Sequence, residues 1–574
     1  MNLTRREWLT RQAATAAVLG VRSVPSRRPA PQVNQANQAD QARRVAGQAL
    51  QLAPGVWSAL AQQAVDAATA AGAHYADARL TRTVLHGYGF EWDRLTWDGE
   101  MMGVGVRVLV NGYWGFASSP FWTPDDVVRL ARDAVAQAKE NAKGTPRPVD
   151  LGQVLKASGT WSTPLKIDSF SISMEEKQDL MVYWTDCAER MGALVQRMKS
   201  SLAFARQERV LATSDGAQMI QTIYESGARI VIKKKVLTGN PTQQVQNEFG
   251  EEGEILVGGY DMTGAGWELF SDHIFEDRIR ATLDQLEQRA AAGVKTATIG
   301  RYTLVCDGQA MAALTEQTLG LATQLDRALG YEANAGGTSF IDDPLAMVGH
   351  LQVAAPVVTV TANRSTPTQL ATVKWDDEGV EPQPFTLIKG GVLTDFQTTR
   401  EQAAWLAPYY HAQGRSVRSN GCAAAEDAHR ITMQHMPNLA LEPNASQVSI
   451  NDLIADVKDG YLVEGGNTFV DFQARNGLYW PDNMREIKNG KLGRCVGRGQ
   501  AAVMFSSVDL WKNVKTVGGP QTQAVRSTSM YEVGGEIGKQ EVTKGQPQQQ
   551  TNHSVRAAAA TITNQPIINP RSKA

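Results

Sequence analysis

Val104, Val106, Val108 and Val110 alternate with Gly105, Arg107 and Leu109, Asn111-Gly112 follows, and Tyr113-Trp114-Gly115-Phe116 comes directly after. An Asn-Gly pair accepts the two positive-φ positions of a turn whose twist matches paired strands, so this stretch is predicted as an antiparallel hairpin. Residues 74–89 alternate too, with Ala76, Ala78 and Leu80 on one face and Asp77, Arg79 and Thr81 on the other. Helices flank these strands. Residues 57–71 are Ala-rich and stop at Gly72. Thr123-Pro124-Asp125-Asp126 offers an N-cap, a proline in the first turn and two carboxylates at the positive helix end. The apolar face behind it is Val127, Leu130, Ala131, Ala134 and Ala138. A unit of helix, antiparallel strands and helix is expected over 57–150.

The chain of 574 residues is too long for one such core, since single domains run to about 100–200 residues. A second, α+β unit is expected over 151–296. It opens with a capping box at Ser173–Glu176, continues through strands around an Asp215-Gly216 turn, and closes with a helix near 277–292. A third unit, 297–519, starts with a strand at 301–306 and a helix at 309–324, then becomes rich in strands and turns. The segment 520–574, with the stretch Gln546 to Gln550 and the run Ala557 to Ala560, reads as a disordered tail. The fold class is therefore α/β (α+β) and multi-domain, with a β-rich C-terminal part.

Fifty-seven basic and 59 acidic residues leave a formal charge of −2 with no Lys/Arg stripe, so no nucleic-acid surface is expected. Cys187, Cys306, Cys422 and Cys495 are scattered, which argues against a disulfide framework. At the N-terminus Arg5-Arg6 precede Trp8-Leu9 and a mild, Ala-rich stretch. That stretch is too short to span a bilayer and suits a twin-arginine signal over 1–24, followed by a Pro/Arg/Gln linker over 25–56. A periplasmic location by the twin-arginine route is the expectation. No later segment is long and apolar enough for a membrane helix.

Three stretches together resemble the TldD/PmbA (modulator-of-gyrase) metallopeptidase family. Ala76-Asp77-Ala78-Arg79-Leu80, Gly103 to Leu109 and Trp114-Gly115-Phe116-Ala117 are similar to its first domain. Leu325-Asp326-Arg327-Ala328-Leu329-Gly330-Tyr331-Glu332-Ala333-Asn334 and Gly337-Thr338-Ser339-Phe340 are similar to the segment after its metal helix. Asp376-Asp377-Glu378-Gly379 and Glu486-Ile487-Lys488-Asn489-Gly490 are similar to blocks of its last domain. The resemblance implies a zinc peptidase ancestry and a heterodimeric habit in which one subunit carries HExxxH and the other lacks it. In that motif two histidines hold zinc and the glutamate activates a water. Histidines at i and i+5 do not share a face of an ideal α-helix, so the turn between them must be distorted.

Registered on Leu325-Asp326-Arg327, the motif falls on Glu316, Gln317 and Leu321. None of the three reproduces its family residue, and Glu316 is expected as an exposed helix residue. The resemblance points to Cys495 as the counterpart of a third ligand, and to Arg327, Tyr331 and Glu332 as candidate binding residues. No metal and no cofactor is expected in this chain. His429 and His435, evenly spaced in what reads as a strand, with His411 and Cys422 nearby, are a weaker alternative metal group. The implied function is that of an exported, metal-free partner of an HExxxH-bearing TldD-like subunit in peptide processing. The alternatives are a hydrolase with relocated ligands and a stand-alone periplasmic peptide-binding protein.

Overall fold

The computed structural model describes residues 54–569, apart from 91–93, 121, 145–148, 153, 192–194, 235–251, 257–261, 271–273, 498, 532–541 and 546. The expected signal segment lies outside the described residues, as does nearly all of the expected linker.

Helix α1 (Pro54–Ala70) leads into β1 (Tyr75–Phe90), β2 (Arg94–Val110) and β3 (Tyr113–Ser119). Asn111 and Gly112 take φ of 53° and 83° in the β2–β3 turn, as the hairpin signal requires. Helix α2 (Pro124–Asn141) carries a full capping box at Thr123 and Asp126. Then come β4 (Ser158–Ser162), α3 (Met174–Arg190), β5 (Val195–Thr213), β6 (Gln218–Lys234), β7 (Glu252–Leu256) and α4 (Ile274–Ala292). These strands form one sheet in the order β3-β2-β1-β5-β6-β4, with β7 also on β6. β1 is antiparallel to β2 on one side and to β5 on the other. The boundary expected at 150/151 therefore does not separate two sheets: both parts build one.

Ala76, Ala78, Leu80, Val104, Val106 and Val108 are fully buried, on strands that pack against α1 and α2. The opposite face is polar yet also buried, with Asp77, Arg79 and Arg107 each at most 4% exposed. It packs against the C-terminal part of the chain.

That part contains β8 (Val294–Lys295), β9 (Gly300–Cys306), α5 (Gly308–Thr315), β10 (Val360–Ala362), β11 (Phe385–Lys389), β12 (Val392–Leu393), β13 (Ala423–Ala424), β14 (Met433–Gln434) and β15 (Leu439–Leu441). It continues with β16 (Asp459–Glu464), β17 (Asn467–Val470), β18 (Asn476–Trp480), β19 (Asn483–Lys488), β20 (Lys491–Val496), β21 (Ala502–Ser506) and β22 (Val514–Val517). The last strands are β23 (Ala524–Thr528), β24 (His553–Ala557) and β25 (Ala560–Ile568). One sheet runs β17-β18-β21-β25-β9-β16-β19-β20-β8, with β22 on β25; another runs β12-β11-β10-β15-β24-β23. Helix α5 touches strands of both sheets, and a large apolar core surrounds it.

The expected tail is therefore corrected: β23, β24 and β25 are core strands. Helix α5 packs against β23 and β24 and approaches them most closely at Gly308. A Cβ on Gly308 would come within 2.6 Å of the Ala524 nitrogen and 2.7 Å of the Ala557 carbonyl. Only Met433–Gln434 within the 429–435 segment is strand. Among the described residues no helix is long and apolar enough to cross a membrane.

Candidate functional site

Asp307 caps α5 by accepting from the Ala310 N–H at 2.7 Å. Every residue of α5 from Ala310 to Thr315 is at most 1% exposed. After Thr315 the helix changes pitch. Glu316–Gly320 is a π-turn, and the Leu321 N–H donates to the Glu316 carbonyl, five residues back. This is the distortion that an i, i+5 ligand pair demands, and it persists here without histidines. Thr318 stabilises it, donating to the Leu314 carbonyl at 2.5 Å and accepting from Trp511 Nε1 at 2.8 Å. Gln397, fully buried, donates to the Gly320 carbonyl at 2.6 Å.

Glu316 is not the exposed residue expected: it is 1% exposed. Its Oε1 accepts from Thr528 Oγ1 at 2.6 Å and faces His553 Nε2 at 2.7 Å. Arg526 Nε stands 3.7 Å from Oε2. Burial favours the neutral acid, but the hydrogen bond and charge of His553, with Arg526 and Thr528, outweigh it and hold Glu316 well below the ordinary carboxylate range. The physical reason is that this helix is buried on all sides, so no face is left for solvent.

Gln317 and Leu321 are buried as well, at 6% and 5% exposure, and Leu321 belongs to the main apolar core. Cys495 is a buried thiol on β20, with β16 and β19 between it and β9 in the sheet order. Zinc needs imidazole, thiolate or carboxylate donors converging on one point. Here one carboxylate oxygen already receives two donors and the other two motif positions are an amide and a hydrocarbon. These residues do not fit a zinc ion.

The segment after the motif is a clamp. Arg327 Nε donates to Gln324 Oε1 at 2.8 Å, and its Nη1 donates to the Gly336 carbonyl. Glu332 Oε2 accepts from the Gly336 N–H at 3.3 Å and the Gly545 N–H at 3.0 Å. Asp326 pairs with Lys544 Nζ, which also donates to Gln434 Oε1 at 2.7 Å. Burial pulls the Lys544 pKa down while Asp326 pushes it back up. Of the candidate binding residues, Arg327 and Glu332 are thus buried and engaged in shaping the loop, and Tyr331 alone is open, at 50% exposure. Sequence reasoning missed His553, Lys544 and Thr528, because all three lie in the segment taken for a tail.

The remaining family-like blocks meet in a second buried cluster. Arg79 Nη1 is 3.0 Å from Asp377 Oδ2, and Arg209 Nη1 is 3.1 Å from Asp377 Oδ1. Arg107 lies 2.8 Å from Asp77 and 3.3 Å from Glu378. His429 belongs to this junction: its Nε2 is 3.0 Å from the Met102 carbonyl, over the bare Cα of Gly103. His435 sits elsewhere, its N–H donating to the Cys422 carbonyl at 2.8 Å. Burial and Lys544 push its imidazole well below the ordinary range, so it is neutral. His411 lies exposed on a short helix, Ala407–Ala412. Among the described residues no three His, Cys, Asp or Glu side chains are grouped to hold a metal ion.

Comparison with known proteins agrees with this geometry. The PmbA/TldA metallopeptidase C-terminal domain matches residues 299–543, and PmbA/TldA metallopeptidase domain 1 matches residues 76–138. Metalloprotease MJ0996 of Methanocaldococcus jannaschii is 21% identical over 63% of this chain and 71% of its own length. The zinc metalloprotease TldD homolog of Saccharolobus solfataricus is 22% identical over 69% of this chain and 79% of its own. The crystal structure of TldE from Thermococcus kodakarensis superposes with a TM-score of 0.62 at 14% identity, covering 89% of this chain and 100% of that one. At that identity the likeness concerns the fold.

Proposed function

The chain belongs to the PmbA/TldA metallopeptidase family, and from this premise we propose that it is the metal-free partner subunit of a zinc peptidase complex. The observation that carries this reading is the π-turn. The helix distortion, capping by Asp307 and the Arg327–Glu332 clamp are all present around Glu316, Gln317 and Leu321, which do not fit zinc. A centre kept for shape after its ligands are gone serves recognition rather than chemistry. A relative with intact HExxxH would supply zinc and the activated water, and peptides would be its substrate. The Arg5-Arg6 pair supports export of this subunit in folded form by the twin-arginine route.

The test is co-expression with an HExxxH-bearing relative, followed by copurification and peptide-cleavage assays of each chain alone and together. The expected outcome is a stable complex, cleavage by the pair, and none by this chain alone. Cleavage by this chain alone would sink the reading. If the two chains neither associate nor enhance cleavage, peptide capture by this chain alone becomes the better account.

A further inference from the structure

Two buried contacts tie the π-turn region to the end of the chain. Glu316 meets His553 on β24, and Asp326 meets Lys544. All four side chains are at most 3% exposed. Both partners, Lys544 and His553, fall beyond the residues 299–543 that match the family's C-terminal domain.

The first pair is held by direct side-chain contacts. His553 Nε2 faces a carboxylate oxygen of Glu316 at 2.7 Å, and Nδ1 faces the Thr551 carbonyl at 3.3 Å. Thr528 turns its hydroxyl toward the same carboxylate oxygen. Groups this deeply buried depend on one another, because a polar atom that loses its partner there is not rescued by water.

A metal ion in such a centre would join the helix to a ligand on a distant strand and bring positive charge into the core. Here the chain's own side chains occupy that role: His553 and Arg526 at Glu316, Lys544 at Asp326. We propose that the Glu316–His553 and Asp326–Lys544 pairs stand in for the missing metal as cross-links between the π-turn helix and the last strands. The centre is closed by protein groups and folds to completion without metal. This goes beyond the partner-subunit reading and does not depend on it, because it concerns the isolated chain.

The experiment is a double-mutant cycle on the full chain, read by urea unfolding, together with the melting temperature in EDTA and in zinc chloride. Glu316→Ala and His553→Ala should each raise the unfolding constant roughly 10-fold or more, because each strips a buried polar group of a hydrogen-bond partner. The double variant should cost little more than the worse single. Neither EDTA nor zinc should move the wild-type melting temperature by more than about 1 °C. Should the alanine variants fail to fold, Glu316→Gln and His553→Gln keep the shape while changing the contact, and the same non-additivity is expected of them. Additive single effects in either series would overturn the proposal. So would a zinc-dependent rise in melting temperature with about one ion bound per chain, which would mean that Glu316 and His553 ligate metal. Failure of the relative to copurify would leave it untouched.

Discussion

Arg79 Nη1 stands 3.0 Å from Asp377 Oδ2 across 298 residues of sequence, and both side chains are at most 6% exposed. Asp377 also receives Arg209 and the Ala425 N–H, while Arg79 donates to Thr432 and to the carbonyls of Asp427 and Arg430. Burial alone would raise the Asp377 carboxyl, but Arg209, Arg79 and Arg364 hold it below its ordinary value. Removing one member of such a pair strands a charge in the interior. Arg79→Met is expected to cost about 3–5 kcal/mol of stability, and Arg79→Met with Asp377→Asn less than the sum of the two single changes. Denaturant unfolding of the three variants checks this. A loss below about 1 kcal/mol for Arg79→Met would mean that the junction is wet.

The glycines of the Gly103-Val104-Gly105 block answer to the same junction. A Cβ on Gly105 would run into the Ala428 carbonyl oxygen, and one on Gly103 into the His429 ring. Backbone cannot step aside as a side-chain end can. Gly105→Ala is therefore expected to destabilise by about 1–3 kcal/mol or more, whereas Gly216→Ser, at an open turn with φ of 94°, should lose only the smaller cost of a strained φ. Comparing the two melting curves separates crowding from backbone strain.

Local signals made the first unit legible. The Val104–Val110 alternation, Asn111-Gly112 and the Thr123 cap each depend on neighbours within a few residues, and each element forms where expected. The helix expected over 309–324 forms only in part, as α5 followed by the π-turn at Glu316–Gly320; the i, i+5 argument for a distorted turn concerned a ligand pair that this chain lacks. What stayed hidden depends on distant partners. The polar face of β1 reads as solvent-facing until Asp377 and Glu378 cover it. The run Ala557 to Ala560 reads as low complexity until α5 presses on it. Glu316 looks exposed until His553 arrives from 237 residues away.

Glu225 predicts a pH dependence. It is 4% exposed on β6, accepts from Asn552 Nδ2 at 2.7 and 2.8 Å and from Ser529 Oγ at 3.4 Å, and faces Arg209. Burial outweighs these partners and pushes the carboxyl from 4.5 up to about 7. The folded state thus holds this proton more tightly than the unfolded chain. Its contribution is fully present below about pH 4.5 and is lost as pH rises through about 7. The loss amounts to about 3 kcal/mol. Asp307 and Asp376, also raised to about 7, act in the same direction. Glu225→Gln isolates one of the three: its stability should fall less steeply than wild type between pH 5 and about 7.5. Parallel curves for the two proteins would show that Glu225 ionises normally.

Restoring the motif in this chain should not restore a metal centre. Glu316→His removes the acceptor that His553 and Thr528 share and leaves two imidazoles facing each other in a buried space. Leu321→His places a polar ring in the main core, where a lost leucine side chain alone costs about 2–5 kcal/mol. Cys495 is a buried thiol on β20, and among the described residues no three His, Cys, Asp or Glu side chains are grouped to hold a metal ion. The triple variant Glu316→His, Gln317→Glu and Leu321→His is therefore expected to be less stable than wild type, to carry no stoichiometric zinc after dialysis, and to cleave no peptide. Elemental analysis and a melting curve decide the point. Stoichiometric zinc in that variant would show that a third donor is within reach and that sequence at the π-turn, rather than the surrounding polar packing, is what keeps the metal out.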